Sequence, residues 1–125
     1  VLPRVLLVDP DAAFCAQAEG LSGVLAVAPE NAGQHLQDVQ AVAAVLRPGN
    51  TRAAEVLATL ERTRPTVQRL LLFARDVTAD ALADAVTRLH PSVCTALPGT
   101  LQKLQVLLAR TAAAGRPGLL REVWL

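Results

Sequence analysis

The chain has no methionine and no tyrosine, one tryptophan, two phenylalanines and two cysteines among its 125 residues. So few aromatics exclude a stacking track for single-stranded nucleic acid, which needs successive exposed rings. The formal net charge is +1 and the arginines are scattered. No basic stripe stands out to follow a phosphate backbone. Cys15 and Cys94 are far apart and belong to no CxxC pair, which argues against a metal knuckle and against a disulfide framework. They read as buried, reduced thiols acting as small apolar side chains. His35 and His90 have no neighbours at ligand spacing, so surface or loop roles are favoured over metal binding.

Motifs for common chemistries are absent too. There is no GxGxxG and no GxxxxGKS/T, hence no recognisable nucleotide cradle. Ser22 and Ser92 sit in no GxSxG context, and no nucleophile and base can be paired. The longest apolar runs are about six residues, against the roughly 20 that a membrane helix needs. No basic leader followed by an apolar stretch is evident at the start. These absences predict a cytoplasmic protein that is no enzyme, binds no metal or cofactor, and touches neither membrane nor nucleic acid with this domain.

What the chain does have is alternation. The stretch RVLLVDPD, Arg4 to Asp11, is an apolar run ending on acids. A strand buried on both faces reads this way, as unbroken Val and Leu. Asp11 is placed to cap a helix from Ala12 to about Leu21, with Phe14, Ala18 and Leu21 on one face. Further strands are expected at Val24–Ala28, Ala41–Leu46, Val67–Phe73 and Val93–Leu97.

Between the strands, a short helix is expected around Gln34–Val39. A second, capped by Asn50 or Thr51, carries Ala53, Val56, Leu57 and Leu60 inward and ends near Arg64. A third, capped by Thr78, carries Ala79, Leu82, Ala83, Val86 and Leu89. A last helix turns Leu101, Leu104, Leu107 and Leu108 inward. Strands alternating with helices imply right-handed crossovers, a parallel sheet and helices on both faces. Residues 1–115 read as one domain. The segment 116–125, which holds Trp124, reads as a tail or the start of a linker; its indole either tucks onto the domain or contacts another chain.

In order, these pieces resemble the receiver domain of two-component response regulators over roughly residues 4 to 114. VLLVDPD resembles the first strand ending in paired acids. Pro48 and Gly49 resemble the Pro-Gly after the third strand. LLLFARD resembles the fourth strand, where the family has a Ser or Thr followed by Ala. ALPGT resembles the end of the fifth, where it has Lys before a cis-linked Pro. RPTVQRLLL also resembles receivers joined to HD-type phosphodiesterase or related output domains. The resemblance implies a flavodoxin-like, three-layer αβα fold with a five-stranded parallel sheet in the order 2-1-3-4-5. It further implies phosphoryl transfer to a carboxylate at the third-strand end, with Mg²⁺ on the first-strand acids and a hydroxyl and a Lys nearby.

The sequence departs from that chemistry. Between Asp38 and Glu55 there is no Asp or Glu. The acceptor position falls on Leu46 or Arg47 by strand length, or on Ala44 by the Pro-Gly, and none is a carboxylate. Asp9 matches the first acid, but the second falls on Pro10, with Asp11 one residue later as a cap. Phe73 stands at the hydroxyl position and Leu97, before Pro98, at the Lys position; the only lysine is Lys103. Of the reactive positions only Asp9 keeps its chemistry. Two structural roles are open to it, capping loop amides or pairing with Arg47; a retained ion or ligand site is the competing reading.

The expectation is therefore a phosphorylation-independent pseudo-receiver that mediates protein–protein interaction, with Phe73 and Leu97 filling the former switch volume. By resemblance, the face of the fourth helix, fifth strand and last helix supplies interface candidates: Arg88, Gln102, Gln105 and Arg110, with Trp124 from the tail. A protein partner or a second copy is expected there, and an effector domain is possible in a longer chain. The alternative is a small-molecule switch whose crevice is formed by Asp9, Arg47 and Phe73.

Overall fold

The computed structural model describes residues 5–114. Trp124, the segment 116–125 and Arg4 of the opening stretch lie outside the described residues. The elements run β1 (Val5–Val8), α1 (Ala12–Ala18), β2 (Val24–Val27), a 3-10 turn (Pro29–Gln34), β3 (Ala41–Leu46), α2 (Arg52–Thr63), β4 (Gln68–Phe73), α3 (Ala79–Leu89), β5 (Val93–Ala96) and α4 (Leu101–Ala114). The strands form one parallel sheet in the order β2-β1-β3-β4-β5, as expected.

The sheet divides the core in two because successive residues of a strand point to opposite faces. Leu6, Val8, Val42, Ala44, Leu46 and Leu71 pack on one side with Ala53, Leu57 and Leu60 of α2 and Ala85 and Leu89 of α3. Val5, Leu7, Ala43, Val45, Leu70 and Leu72 pack on the other with Ala18 of α1 and Leu104, Leu108 and Ala112 of α4. All residues of β1 and β3 are buried, which accounts for their continuous apolar sequences.

Several elements differ from the sequence reading. The crossover from β2 to β3 is the 3-10 turn at Pro29–Gln34, earlier and tighter than a helix at Gln34–Val39. Pro29 fixes the first φ, Asn31 and Gly33 disfavour a longer helix, and Leu36 and Val39 are buried in the chain that follows. Helix α1 stops at Ala18, with Leu21 packing from the loop beyond it.

Helix α3 is rotated from the expected stripe: Ala85 and Leu89 are buried and Leu82 is partly so, while Ala79, Ala83 and Val86 face solvent. Leu101 also stays exposed, and Thr111 joins the inner face of α4 by giving its hydroxyl to the Leu107 carbonyl at 2.9 Å. Both cysteines are free thiols, half-buried rather than fully buried.

Candidate functional site

The carboxyl ends of β1, β3, β4 and β5 meet along one edge of the sheet, the edge where open α/β sheets form their crevices. Leu46 lies opposite Phe73, whose neighbour Ala74 donates its amide to the Leu46 carbonyl at 3.0 Å. The Leu97 amide donates to the Phe73 carbonyl at 2.9 Å. Leu46, Phe73 and Leu97 therefore sit on one line, with Asp9 at the end of β1. Ala44 pairs with Val8 inside the sheet. The Pro-Gly alignment thus places the acceptor two residues short of the strand end, because the loop after β3 is short.

That loop is a four-residue turn. The Asn50 amide donates to the Arg47 carbonyl at 3.1 Å, and Gly49 has φ +70°. Pro at the second position and a left-handed Gly at the third match a type II turn. Asn50 then accepts the Arg52 amide on its side-chain oxygen at 3.2 Å, starting α2; Thr51 makes no side-chain cap. The turn leaves Arg47 as the last residue out of β3, beside the end of β1.

Asp9 is fully buried, with 0% of its surface exposed, and its carboxylate is wholly engaged. Arg47 donates from Nε to Oδ1 at 3.1 Å and from Nη2 to Oδ2 at 2.6 Å, and the Asp11 amide donates to Oδ1 at 2.9 Å. This two-pronged contact matches the flat guanidinium fork to the carboxylate plane. Arg47 is 23% exposed and also lies 3.9 Å from the Asp11 carboxylate. Its guanidinium carbon sits 5.3 Å from the centre of the Phe14 ring, within range of a cation–π contact. The Asp9 hydrogen bond, with the fields of Asp9, Asp11 and Asp76, raises the Arg47 pKa further above its already high ordinary value.

Asp11 caps α1 as expected, accepting the Ala13 and Phe14 amides at 3.0 and 3.2 Å. Pro10, half-buried between the two acids, offers no side-chain ligand. The Cys15 thiol points into the same corner, its single S–H shared between the Asp9 carbonyl at 3.4 Å and the Val27 carbonyl at 3.6 Å. Burial, and next the negative charge of Asp9, push this thiol's pKa up.

Phe73 and Leu97 do not share a volume. Phe73 packs with the core on the α2–α3 side of the sheet and Leu97 with the core on the α1–α4 side. The aromatic that meets Arg47 is Phe14, one helical turn after Asp11. Sequence reasoning assigned Phe14 only to the inner face of α1; its contact with Arg47 depends on where the turn after β3 delivers the guanidinium. The Leu97–Pro98 peptide is trans, in contrast to the cis linkage that the resemblance implied.

The interface candidates have individual settings. Arg88 holds Glu55 of α2 at 2.5 Å and Asp84 at 3.6 Å, while remaining exposed. Gln105 accepts the Ser22 amide at 2.9 Å and donates to the Ser22 carbonyl at 3.0 Å, so it fastens α4 to the loop before β2 instead of presenting itself to a partner. Gln102 and Arg110 are exposed on α4, as is Val106, at 54%.

With this geometry in view, the chain's likeness to solved structures is close in shape and distant in sequence. It superposes on a CheY-like response regulator receiver domain protein from Methanospirillum hungatei with a TM-score of 0.70 at 11% identity, covering 92% of this chain and 97% of that one. The signal receiver domain of an HD domain-containing protein from Pseudomonas fluorescens gives 0.68 at 21% identity, covering 90% and 95%. NtrX from Brucella abortus gives 0.67 at 12% identity, covering 92% of this chain but 27% of that longer one. This chain has the receiver fold. No family model matches it, and no curated protein matches its sequence.

The receiver fold implies a Mg²⁺ site at this edge, and the residues present do not fit one. Magnesium wants near-octahedral oxygen ligands, typically one or two carboxylates with water and phosphate. Here both Asp9 oxygens accept from Arg47, the Asp11 carboxylate is capping amides, and Pro10 and Leu46 have no ligand atom in their side chains. A guanidinium already stands against the carboxylate that would hold the ion. Among the described residues no group of three or more His, Cys, Asp or Glu could hold a metal, and no helix is long and apolar enough to cross a membrane.

Proposed function

We propose that this domain is a pseudo-receiver: a cytoplasmic signalling module that works by binding protein, without aspartyl phosphorylation and without catalysing a reaction. The observation that carries this reading is the Asp9–Arg47 pair at the crevice. In a phosphorylatable receiver that position must admit a metal and a phosphoryl group. Here it is closed by an internal cation, and no carboxylate stands at the end of β3. No phosphoryl-driven equilibrium remains to be biased, so the output is set by what the surface binds.

The partner is a protein, a second copy, or an effector domain in a longer chain; the last is supported by the short share of NtrX that this fold covers. The α3–β5–α4 face, with Arg88, Gln102, Val106 and Arg110, is the proposed contact surface. The small-molecule alternative around Asp9, Arg47 and Phe73 has less support, because Arg47 is committed to Asp9 and Phe73 to the core.

The test is incubation with acetyl phosphate, and separately beryllofluoride, each with Mg²⁺, followed by intact mass and amide NMR spectra. Unchanged mass and unchanged crevice amides are expected. A phosphoryl adduct, or beryllofluoride shifts centred on Asp9 and Arg47, would overturn the reading.

A further inference from the structure

A fully buried carboxylate must be neutralised by a partner of opposite charge or give up its charge. In the receiver fold that partner is expected to be a divalent ion. We propose that Arg47 is the resident cation of this crevice: its guanidinium stands in for the divalent ion between Asp9 and Asp11 and occupies the carboxylate that such an ion would need. This deepens the pseudo-receiver reading, since it names how the same site is held in one state.

Four observations carry it. Arg47 reaches both oxygens of a carboxylate that has no exposed surface. It approaches the second acid, Asp11, from the same side, at 3.9 Å. The Phe14 ring supports the guanidinium at 5.3 Å. The Arg47–Asn50 turn anchors the backbone from which the side chain extends, closed by hydrogen bonds of 3.1 and 3.4 Å. The charge is thus delivered by the chain itself, from the end of β3 to the end of β1, and it joins the two loops that a metal would join. A divalent ion at the same carboxylate would meet a fixed positive charge in direct contact with its ligand, and like charges at such a distance exclude one another. Lysine would supply the charge but not the two-pronged geometry.

The experiment melts the native 125-residue chain and four variants, R47K, R47M, R47A and R47A combined with D9N, in millimolar MgCl₂ or MnCl₂ and in NaCl of equal ionic strength. Manganese binding is followed in parallel by water-proton relaxation. The native chain is expected to ignore divalent ions beyond the salt control and to retain no Mn²⁺. R47A is expected to melt roughly 10 to 20 °C lower, the cost of a stranded buried charge in a domain of this size. Adding D9N should restore much of that loss, because the stranded charge is removed with it, and neither variant should respond to divalent ions beyond the NaCl control. R47K should melt between native and R47A and stay insensitive to metal.

Native protein stabilised by Mg²⁺, or an R47M chain as stable as native, would overturn the proposal. So would an R47A chain that gains nothing from added D9N, which would make Arg47 a packing residue only. Should R47A fail to fold, the native metal titration and the comparison of R47K with R47M still decide. Phosphorylation by acetyl phosphate at some other residue would sink the pseudo-receiver reading and leave the role of Arg47 intact.

Discussion

The Arg47 guanidinium and the Asp9 carboxylate are joined by two parallel hydrogen bonds, yet the acid is sealed from water and the base is not. This asymmetry decides which half of the pair matters more to the fold. Removing Arg47 strands a charge in the interior, whereas removing Asp9 leaves an arginine that can turn to solvent or to Asp11.

Arg47→Ala is therefore expected to cost about 3–5 kcal/mol and Asp9→Asn distinctly less. Urea unfolding of both single variants and of the double variant measures this. The double should cost less than the two singles added together, because the partners are in direct contact. Equal single losses would contradict the asymmetry.

Gly49→Ala is expected to destabilise by about 1 kcal/mol. An added Cβ would meet nothing within 4 Å, so the cost comes from the left-handed φ of +70° and not from crowding. The turn at 47–50 sets where Arg47 emerges, so crevice amides should shift in the NMR spectrum while core strands stay still.

Gln105→Ala removes a side chain that bonds both backbone groups of Ser22. A loss of about 1–2 kcal/mol is expected, near the net worth of two ordinary hydrogen bonds. Gln102→Ala should change stability within about 0.5 kcal/mol, as a surface position usually does. Thermal melts of the two side by side give the comparison.

Burial raises the pKa of both thiols, with Asp9 adding to the effect at Cys15. Alkylation by iodoacetamide at mildly alkaline pH should be slower in the folded protein than in urea. The sign for stability follows. Above the ordinary thiol pKa of 9.0 the folded chain binds more protons than the unfolded one, so this contribution is present below that pH and is lost as pH rises past it. Stability that grew with pH in this range would contradict the raised values.

Much of the architecture was legible because β1 and β3 are unbroken apolar runs and the turn residues between elements are strong punctuation. The Asp9–Arg47 pair could be anticipated, since one buried acid and one arginine face each other across neighbouring strands. Other features depend on geometry that no local pattern encodes. Gln105 meets Ser22 across 83 residues of sequence. The face of α3 was misplaced because alanines on both sides of the helix blur the apolar stripe, so the buried Ala85 was passed over for Ala79 and Ala83. The 3-10 crossover has no apolar stripe of its own: Pro29, Glu30 and Asn31 read as loop, and the weak helical pattern falls after them. Phe14 looked like core, and only the placement of Arg47 gives its ring a second task.

The crossover after the edge strand β2 is a 3-10 turn instead of a full helix, and it packs on β1 and α2, leaving that flank of the sheet thinly roofed. Three of the four β2 residues are only half-buried, whereas every residue of β3 is sealed between two strands and two layers of helix. Deuterium should therefore enter Val24–Val27 through partial openings long before it reaches Ala41–Leu46, whose amides wait for the whole molecule to come apart. The domain would then fray from its two borders inward, since β5 at the other edge has no fully buried residue, and the β3 end that carries Arg47 would be among the last to part.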